Sequence, residues 1–97
     1  MLAIDANLDG NQQLFFSNPH SSGMETRTNM SLQMSTDGGS SWKLKPINRP
    51  NRNDEYSALT RLGEPGMVGV LWETGGPIGP SSTKAMTINF AKVPTEF

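Results

Sequence analysis

An all-β fold is the structure that the sequence predicts, and three observations lead to it. Short segments of alternating apolar and polar residues recur along the 97 residues, and none of them has the period of a long helix. Turn-forming residues are abundant, with 10 Gly and 7 Pro. The hydrophobic share of 34% is below that of a typical globular domain, which suits short strands and a small core.

Six strands are predicted along the chain. The alternation is cleanest at Thr28–Ser35, where Thr28, Met30, Leu32 and Met34 share one face because successive side chains of a strand point to opposite sides. The full set of predicted strands is Gln13–Ser17, Thr28–Ser35, Trp42–Ile47, Tyr56–Leu62, Met67–Glu73 and Ala85–Val93.

Turn and linker residues separate these strands. Asn18-Pro19 is predicted to stop the first strand, and Pro46 places the end of Trp42–Ile47 in an edge or outer strand, because proline has no N–H to donate to a neighbour. The remaining connections are a polar linker over Asn48–Glu55, a turn at Gly63–Gly66 and a long loop over Thr74–Thr83.

The segment Ser35 to Trp42 reads Ser-Thr-Asp-Gly-Gly-Ser-Ser-Trp and fits the Asp-box pattern S-x-D-x-G-x-x-W at every fixed position. The side chains of Ser35 and Asp37 can bond backbone amides across a tight turn, Gly39 tolerates a positive φ, and Trp42 can pack over the turn. Because the turn itself needs Asp37, this residue is interpreted as structural rather than as a catalytic acid. An Asp box joins neighbouring strands of a blade, so it predicts a β-propeller.

The strands group into two units. Residues 1–50 are predicted to form a blade that holds the Asp box between its last two strands, and residues 51–97 an incomplete last blade of three strands. A propeller has at least four blades, so about two blades leave apolar faces uncovered. We therefore expect a fragment of a propeller, or an obligate assembly, with marginal stability in isolation.

Composition excludes several classes of function. Eight Lys and Arg against nine Asp and Glu provide no electrostatic basis for binding nucleic acid. With no Cys there is no disulfide framework, thiol nucleophile or Cys-based metal site, and we expect neither a metal nor a cofactor. No apolar run is long enough to span a bilayer, and the first residues lack the features of a signal peptide. Any export signal is therefore expected to lie elsewhere, and the sequence leaves a secreted or lysosomal location open.

Six segments of the chain carry a resemblance to a known family: Leu14-Phe15-Phe16-Ser17-Asn18-Pro19, Arg27-Thr28-Asn29-Met30-Ser31-Leu32, the Asp box, Tyr56-Ser57-Ala58-Leu59, Val70-Leu71-Trp72-Glu73 and Ile88-Asn89-Phe90-Ala91. In order and approximate spacing, over nearly the whole chain, they resemble the C-terminal end of the exo-α-sialidase family, in particular its lysosomal-type branch. The combination is more selective than the Asp box, which other propellers share. The resemblance implies a partial six-bladed β-propeller, of which residues 1–97 would be a C-terminal fragment.

The resemblance implies three site residues. Arg27 matches the third of the three arginines that hold the substrate carboxylate in sialidases, and its alternative is a surface arginine paired with Glu25 or with solvent. Tyr56, the only tyrosine, matches the nucleophile, and its alternative is a half-buried strand residue with a bonded hydroxyl. Glu73 matches a carboxylate that orients another arginine of the triad, and its alternative is a solvated strand end. Asp54 is interpreted as a loop charge.

These roles imply a retaining exo-α-sialidase that acts on terminal sialic acids of glycoproteins, gangliosides or oligosaccharides. The family's acid Asp, base Glu and other two arginines have no counterpart in the 97 residues, so the chain alone is expected to be inactive and to need further blades or self-association. The alternative is a non-catalytic Asp-box module, which either binds sialoglycans or is structural only.

Overall fold

The structure is a computed structural model and describes residues 2–5, 12–20, 27–48, 52–77 and 85–96. These residues form seven β-strands and no helix, which confirms the all-β prediction for the described part of the chain. No helix in this part is long and apolar enough to cross a membrane. The strands are β1 (Leu2–Asp5), β2 (Gln12–Pro19), β3 (Met30–Ser35), β4 (Lys43–Pro46), β5 (Arg52–Arg61), β6 (Met67–Pro77) and β7 (Ala85–Pro94).

The first sheet has the order β1-β2-β3-β4, and every neighbouring pair is antiparallel. Phe15 of β2 lies opposite Met34 of β3, so both point to the same face. β4 is an edge strand of this sheet, as its proline predicts. The Asp box forms the connection between β3 and β4.

The second sheet has the order β5-β6-β7 and is also antiparallel. Its register shifts within β5, where Asp54 pairs with Thr74 but Ser57 pairs with Trp72. Two residues of β5, Glu55 and Tyr56, therefore lie opposite one residue of β6. Such an irregularity bends a strand and changes the direction in which its side chains point.

The core lies between the two sheets, each of which contributes one apolar face. Four buried side chains come from the first sheet and four from the second, and strand β2 packs against β5. The four residues predicted to share one face of Thr28–Ser35 are all buried, and Ser31 and Ser35 on the other face are buried too. The core residues are Phe15, Met30, Leu32, Met34, Val68, Val70, Trp72 and Val93.

The opposite faces of both sheets expose large apolar side chains. Phe16 and Leu44 are exposed on the first sheet, and Leu71, Ile88 and Phe90 on the second. In the second sheet Leu71 and Phe90 lie opposite each other on neighbouring strands, so the exposed apolar surface is continuous there. Exposed apolar patches of this kind are typical of surfaces that contact another element or another molecule.

Several predicted boundaries of the first sheet are wrong. β1 was not expected, and β2 continues through Asn18-Pro19 instead of stopping there. The proline is tolerated because β1 pairs only with Gln12 to Phe15, which leaves one side of β2 open at Pro19. β3 begins at Met30 rather than Thr28, because Asn29 has a φ of 61°, outside the extended region.

Two boundaries of the second sheet are also wrong. The linker predicted over Asn48–Glu55 ends early, because β5 begins at Arg52 and Asp54 already pairs with β6. β6 runs on to Pro77, so Glu73 lies within a strand and not at its end, and Thr74 does not begin a loop. The rest of that predicted loop, from residue 78 to residue 83, lies outside the described residues.

Candidate functional site

The Asp box is a closed local network of hydrogen bonds. Ser35 Oγ accepts a hydrogen bond from the Gly39 N–H at 2.9 Å and donates one to Asp37 Oδ1 at 2.8 Å. Asp37 also accepts hydrogen bonds from the N–H and the hydroxyl of Ser41. Gly39 has a φ of 94°, and the indole N–H of Trp42 donates to the Gly39 carbonyl at 3.1 Å. Every partner lies within this one turn.

The carboxylate of Asp37 is committed to the turn. The hydrogen bonds from the Ser41 hydroxyl, from the Ser41 N–H and from the Ser35 hydroxyl lower the pKa of Asp37 from 3.8 to about 2, because they stabilise the charged form. A carboxylic acid with so low a pKa is ionised at neutral pH and holds no proton to donate. Its chemistry is that of a structural acceptor.

Arg27 and Tyr56 are brought together although they are far apart in sequence. Arg27 lies just before β3 and Tyr56 lies at the irregularity of β5, and the Arg27 Cζ is 5.5 Å from the centroid of the Tyr56 ring. A guanidinium over an aromatic face at this distance is attracted by the negative face of the ring. Arg27 Nη1 is also 3.4 Å from Glu55 Oε2. Glu25, the partner considered in the alternative interpretation of Arg27, lies outside the described residues.

These two side chains border an open cleft of about 390 Å³ between β2 and β5. The Arg27 side chain is 55% exposed, and Tyr56 is 69% exposed, so both are accessible to a ligand in solution. The half-buried position considered as the alternative for Tyr56 does not apply. The lining residues are Ser17, Asn18, Pro19, Arg27, Glu55, Tyr56 and Ser57.

Hydrogen bonds between the two sheets support the floor of the cleft. The hydroxyls of Ser17 on β2 and Ser57 on β5 are 2.8 Å apart, and the Ser57 hydroxyl also lies 3.3 Å from the Ser17 carbonyl oxygen. Beside them, Gln33 donates its amide to Asn18 Oδ1 at 2.9 Å. Hydroxyl and amide groups therefore lie in the cleft next to the Arg27 guanidinium and the Glu55 carboxylate.

Glu73 is not part of the cleft lining. It lies within β6 opposite Ile88 of β7, with a partly buried side chain. The register shift of β5 places it on the strand next to Glu55 and Tyr56, but its carboxylate does not border the same space. The structure thus brings together two of the three site residues expected from the resemblance.

The interpretation of Asp54 as a loop charge is wrong. Asp54 lies on β5 and is fully buried, and its carboxylate accepts hydrogen bonds from three donors. The donors are the N–H of Met30 at 2.8 Å, the amide of Asn48 at 2.6 Å and the hydroxyl of Thr74 at 3.2 Å. They come from three separate segments of the chain, so no local sequence pattern could have marked this residue.

Comparisons with protein-family models, with curated proteins and with solved structures find no match for this chain. The resemblance to sialidases therefore rests on the residues quoted above. Among the described residues, no group of three or more His, Cys, Asp or Glu side chains could hold a metal ion. The chemistry of the cleft is that of one arginine, one tyrosine, one glutamate and neutral polar groups.

Proposed function

We propose that this chain is the C-terminal part of a retaining exo-α-sialidase, to which it contributes a nucleophilic tyrosine and one carboxylate-binding arginine. The observation that carries the proposal is the juxtaposition of Arg27 and Tyr56 in one open cleft. The two motifs lie far apart in the sequence, with Arg27 just before β3 and Tyr56 on β5. Contact between them is what a shared substrate site requires.

Arg27 would bind the carboxylate that sialic acid carries on its anomeric carbon. A guanidinium presents two parallel N–H donors to the two oxygens of a carboxylate, which makes this the strongest common form of carboxylate recognition. The present partner, Glu55, is a competing carboxylate at 3.4 Å in a largely exposed contact. An exposed ion pair of this kind is weak, so a substrate carboxylate can take its place.

Tyr56 would attack the anomeric carbon. An anionic carboxylate nucleophile would be repelled by the neighbouring carboxylate of the substrate, whereas a phenol is neutral until a base removes its proton. The bond from the Tyr56 oxygen to the anomeric carbon forms as the glycosidic bond breaks. The phenolic proton passes to a base, and the leaving oxygen takes a proton from an acid. Water then displaces the tyrosine, so two inversions produce net retention.

The acid, the base and two further arginines would come from parts of the enzyme outside these 97 residues, and Glu73 would orient one of those arginines. The fold would be about two blades of a six-bladed propeller. Two antiparallel meanders packed face to face support this arrangement, and so do the exposed apolar side chains on both outer faces. Neighbouring blades, or self-association, would cover these faces.

A binding experiment tests the contribution of the cleft. Because Tyr56 is the only tyrosine, biosynthetic incorporation of 3-fluorotyrosine gives one ¹⁹F resonance, which is titrated with the methyl α-glycoside of N-acetylneuraminic acid. We expect weak, saturable binding that Arg27→Gln lowers by about tenfold or more, since a hydrogen bond to a charged group contributes roughly 1.5 kcal/mol or more. The matched control is Arg61→Gln, an exposed arginine on the strand that carries Tyr56 but outside the cleft.

A turnover experiment separates catalysis from binding. In an enzyme that joins this chain to the blades carrying the acid, the base and the other arginines, Tyr56→Phe should abolish most of the hydrolysis of an α-sialoside and leave binding largely intact. Unchanged turnover would remove Tyr56 as the nucleophile. Sialoside binding that depends on Arg27, without any turnover, would assign the chain to the non-catalytic sialoglycan-binding class instead.

A further inference from the structure

Asp54 is a buried residue that forms hydrogen bonds with the segment carrying Arg27, next to the Arg27–Tyr56 cleft. It is fully buried and forms no salt bridge with another described residue, so its charge is balanced by donors alone. A buried ionised group is costly unless it is hydrogen-bonded. A carboxylate is an acceptor-only group, which suits a position where donors converge from a backbone N–H, an amide and a hydroxyl.

One of these hydrogen bonds and a backbone hydrogen bond of Asp54 hold the segment that carries Arg27. The backbone N–H of Asp54 donates to the Arg27 carbonyl at 2.6 Å, and Asp54 Oδ2 accepts from the N–H of Met30 at 2.8 Å. The segment between them is not a strand, and Asn29 in it has a φ of 61°. Asp54 therefore secures both ends of a short irregular segment.

The same residue is bound to the strand that carries Tyr56. Asp54 precedes Tyr56 by two positions and lies between two register shifts of β5, one towards Arg52 and one towards Ser57. Its carboxylate accepts from the Thr74 hydroxyl on β6, and Thr74 in turn accepts from the amide of Asn89 on β7. The second sheet thus fixes Asp54, and Asp54 fixes the distance from that sheet to Arg27.

We propose that Asp54 is a positioning residue that holds the Arg27 guanidinium over the Tyr56 ring and so assembles the carboxylate-binding cleft. Its relevance to sialosides rests on the proposed function, whereas the link between Asp54 and the Arg27–Tyr56 contact does not. Asp54 itself does not line the cleft and touches no substrate. It acts through the backbone of residues 27 to 30.

The test uses the ¹⁹F resonance of 3-fluorotyrosine at position 56 in the ligand-free chain. Arg27→Gln defines the shift that follows when the guanidinium leaves the ring. We expect Asp54→Asn to move the resonance in the same direction and to add little in the double variant with Arg27→Gln. We also expect Asp54→Asn to lower the affinity for the methyl α-sialoside by roughly tenfold, as for the loss of Arg27 itself.

Two further variants separate positioning from stability. Thr74→Val removes one donor to the carboxylate but leaves both hydrogen bonds to the Arg27–Met30 segment, so it should lower the melting temperature without moving the ¹⁹F resonance. The exchange Asp54→Asn with Asn48→Asp keeps an acceptor for Met30 and reverses the polarity of the contact between the two side chains, so it should restore the wild-type resonance. A purely structural role predicts instead that Asp54→Asn behaves like Thr74→Val, with a lower melting temperature and an unchanged ¹⁹F resonance.

The outcomes are distinct. A folded Asp54→Asn chain with an unchanged ¹⁹F resonance overturns the proposal. If Asp54→Asn does not fold, Asp54→Glu, which keeps the charge but displaces the carboxylate from the N–H of Met30, decides the question. A ¹⁹F shift in the same direction as that of Arg27→Gln, even if smaller, supports the positioning role. An unchanged resonance means that Asp54 contributes to stability alone. If wild type binds no sialoside but Asp54 and Arg27 remain coupled in the ligand-free spectra, the proposed function fails and the positioning role stands.

Discussion

Asp37 and Asp54 are both carboxylates that accept several hydrogen bonds, but they organise different regions of the molecule. Asp37 is exposed, and its donors, Ser35 and Ser41, belong to the same tight turn. Asp54 is fully buried, and two of its donors, Met30 and Thr74, are 24 and 20 residues away along the chain. One carboxylate closes a local loop, and the other joins strands of two sheets.

The contrast indicates that the stability lost when a carboxylate is removed depends on whether its hydrogen-bond donors are then exposed to water or remain buried. When an exposed acceptor is removed, water can replace it, so the donors lose little. When a buried acceptor is removed, each donor is left without a partner in a medium that contains no water, and the full cost of desolvation remains. The Asp box should therefore tolerate change better than the Asp54 network does.

The largest effect is expected for Asp54→Ala. The substitution leaves the N–H of Met30, the amide of Asn48 and the hydroxyl of Thr74 without their acceptor, and each buried unsatisfied donor costs about 1–3 kcal/mol. Removal of the buried charge offsets part of this, so we expect the free energy of unfolding to fall by about 3 kcal/mol. Urea denaturation followed by tryptophan fluorescence measures it, because Trp72 is buried in the core and becomes exposed on unfolding, whereas Trp42 is already exposed in the folded chain.

The control for Asp54→Ala is Thr87→Ala on the neighbouring strand β7. Thr87 is exposed and contacts the Thr74 carbonyl only at 3.5 Å. A surface substitution of this kind changes stability by less than about 0.5 kcal/mol. If Asp54→Ala were no more destabilising than this control, the carboxylate would not connect the two sheets in the way that its hydrogen bonds indicate.

An intermediate effect is expected for Gly39→Ala in the Asp box. Gly39 has a φ of 94°, and a side chain in the left-handed region costs about 1–2 kcal/mol. Space is not the obstacle, since an added Cβ would meet only Trp42 Cζ2 at 3.8 Å. The free energy of unfolding, again from urea titration, should fall by about that amount.

Gly63→Ala is the matched control for the backbone effect. Gly63 also lies in a connection between strands, has no positive φ and has no atom within 4 Å of an added Cβ. Alanine there should be neutral or slightly stabilising, because it reduces the freedom of the unfolded chain. Equal destabilisation by the two glycine substitutions would mean that the conformation of Gly39 is not what the turn depends on.

The same contrast explains what the sequence could predict. The Asp box can be predicted from the sequence because Ser35, Asp37 and their donors lie within eight residues of one another. The alternation around Leu32 can be predicted because it depends on a single strand. The burial of Asp54 cannot be predicted from the sequence, because it depends on how β3 and β6 pack against β5. The Arg27–Tyr56 pair was expected only through the resemblance, and its geometry comes from the packing of two sheets.

The smallest effect is expected for Asp37→Asn, and it should depend on pH. The pKa of Asp37 in the folded chain is about 2, below the ordinary value of 3.8, so the charged carboxylate stabilises the fold above pH 3.8 and loses this contribution as the pH falls through about 2. The difference in unfolding free energy between wild type and Asp37→Asn should therefore be greatest above pH 3.8 and disappear near pH 2. Ser41→Ala removes the largest cause of the shift, so it should raise the pKa of Asp37 towards 3.8, which carboxyl ¹³C titration measures directly. A stability difference that stayed constant from pH 5 to pH 2 would mean that the side chain acts through its shape, and the contrast with Asp54 would then be one of burial alone.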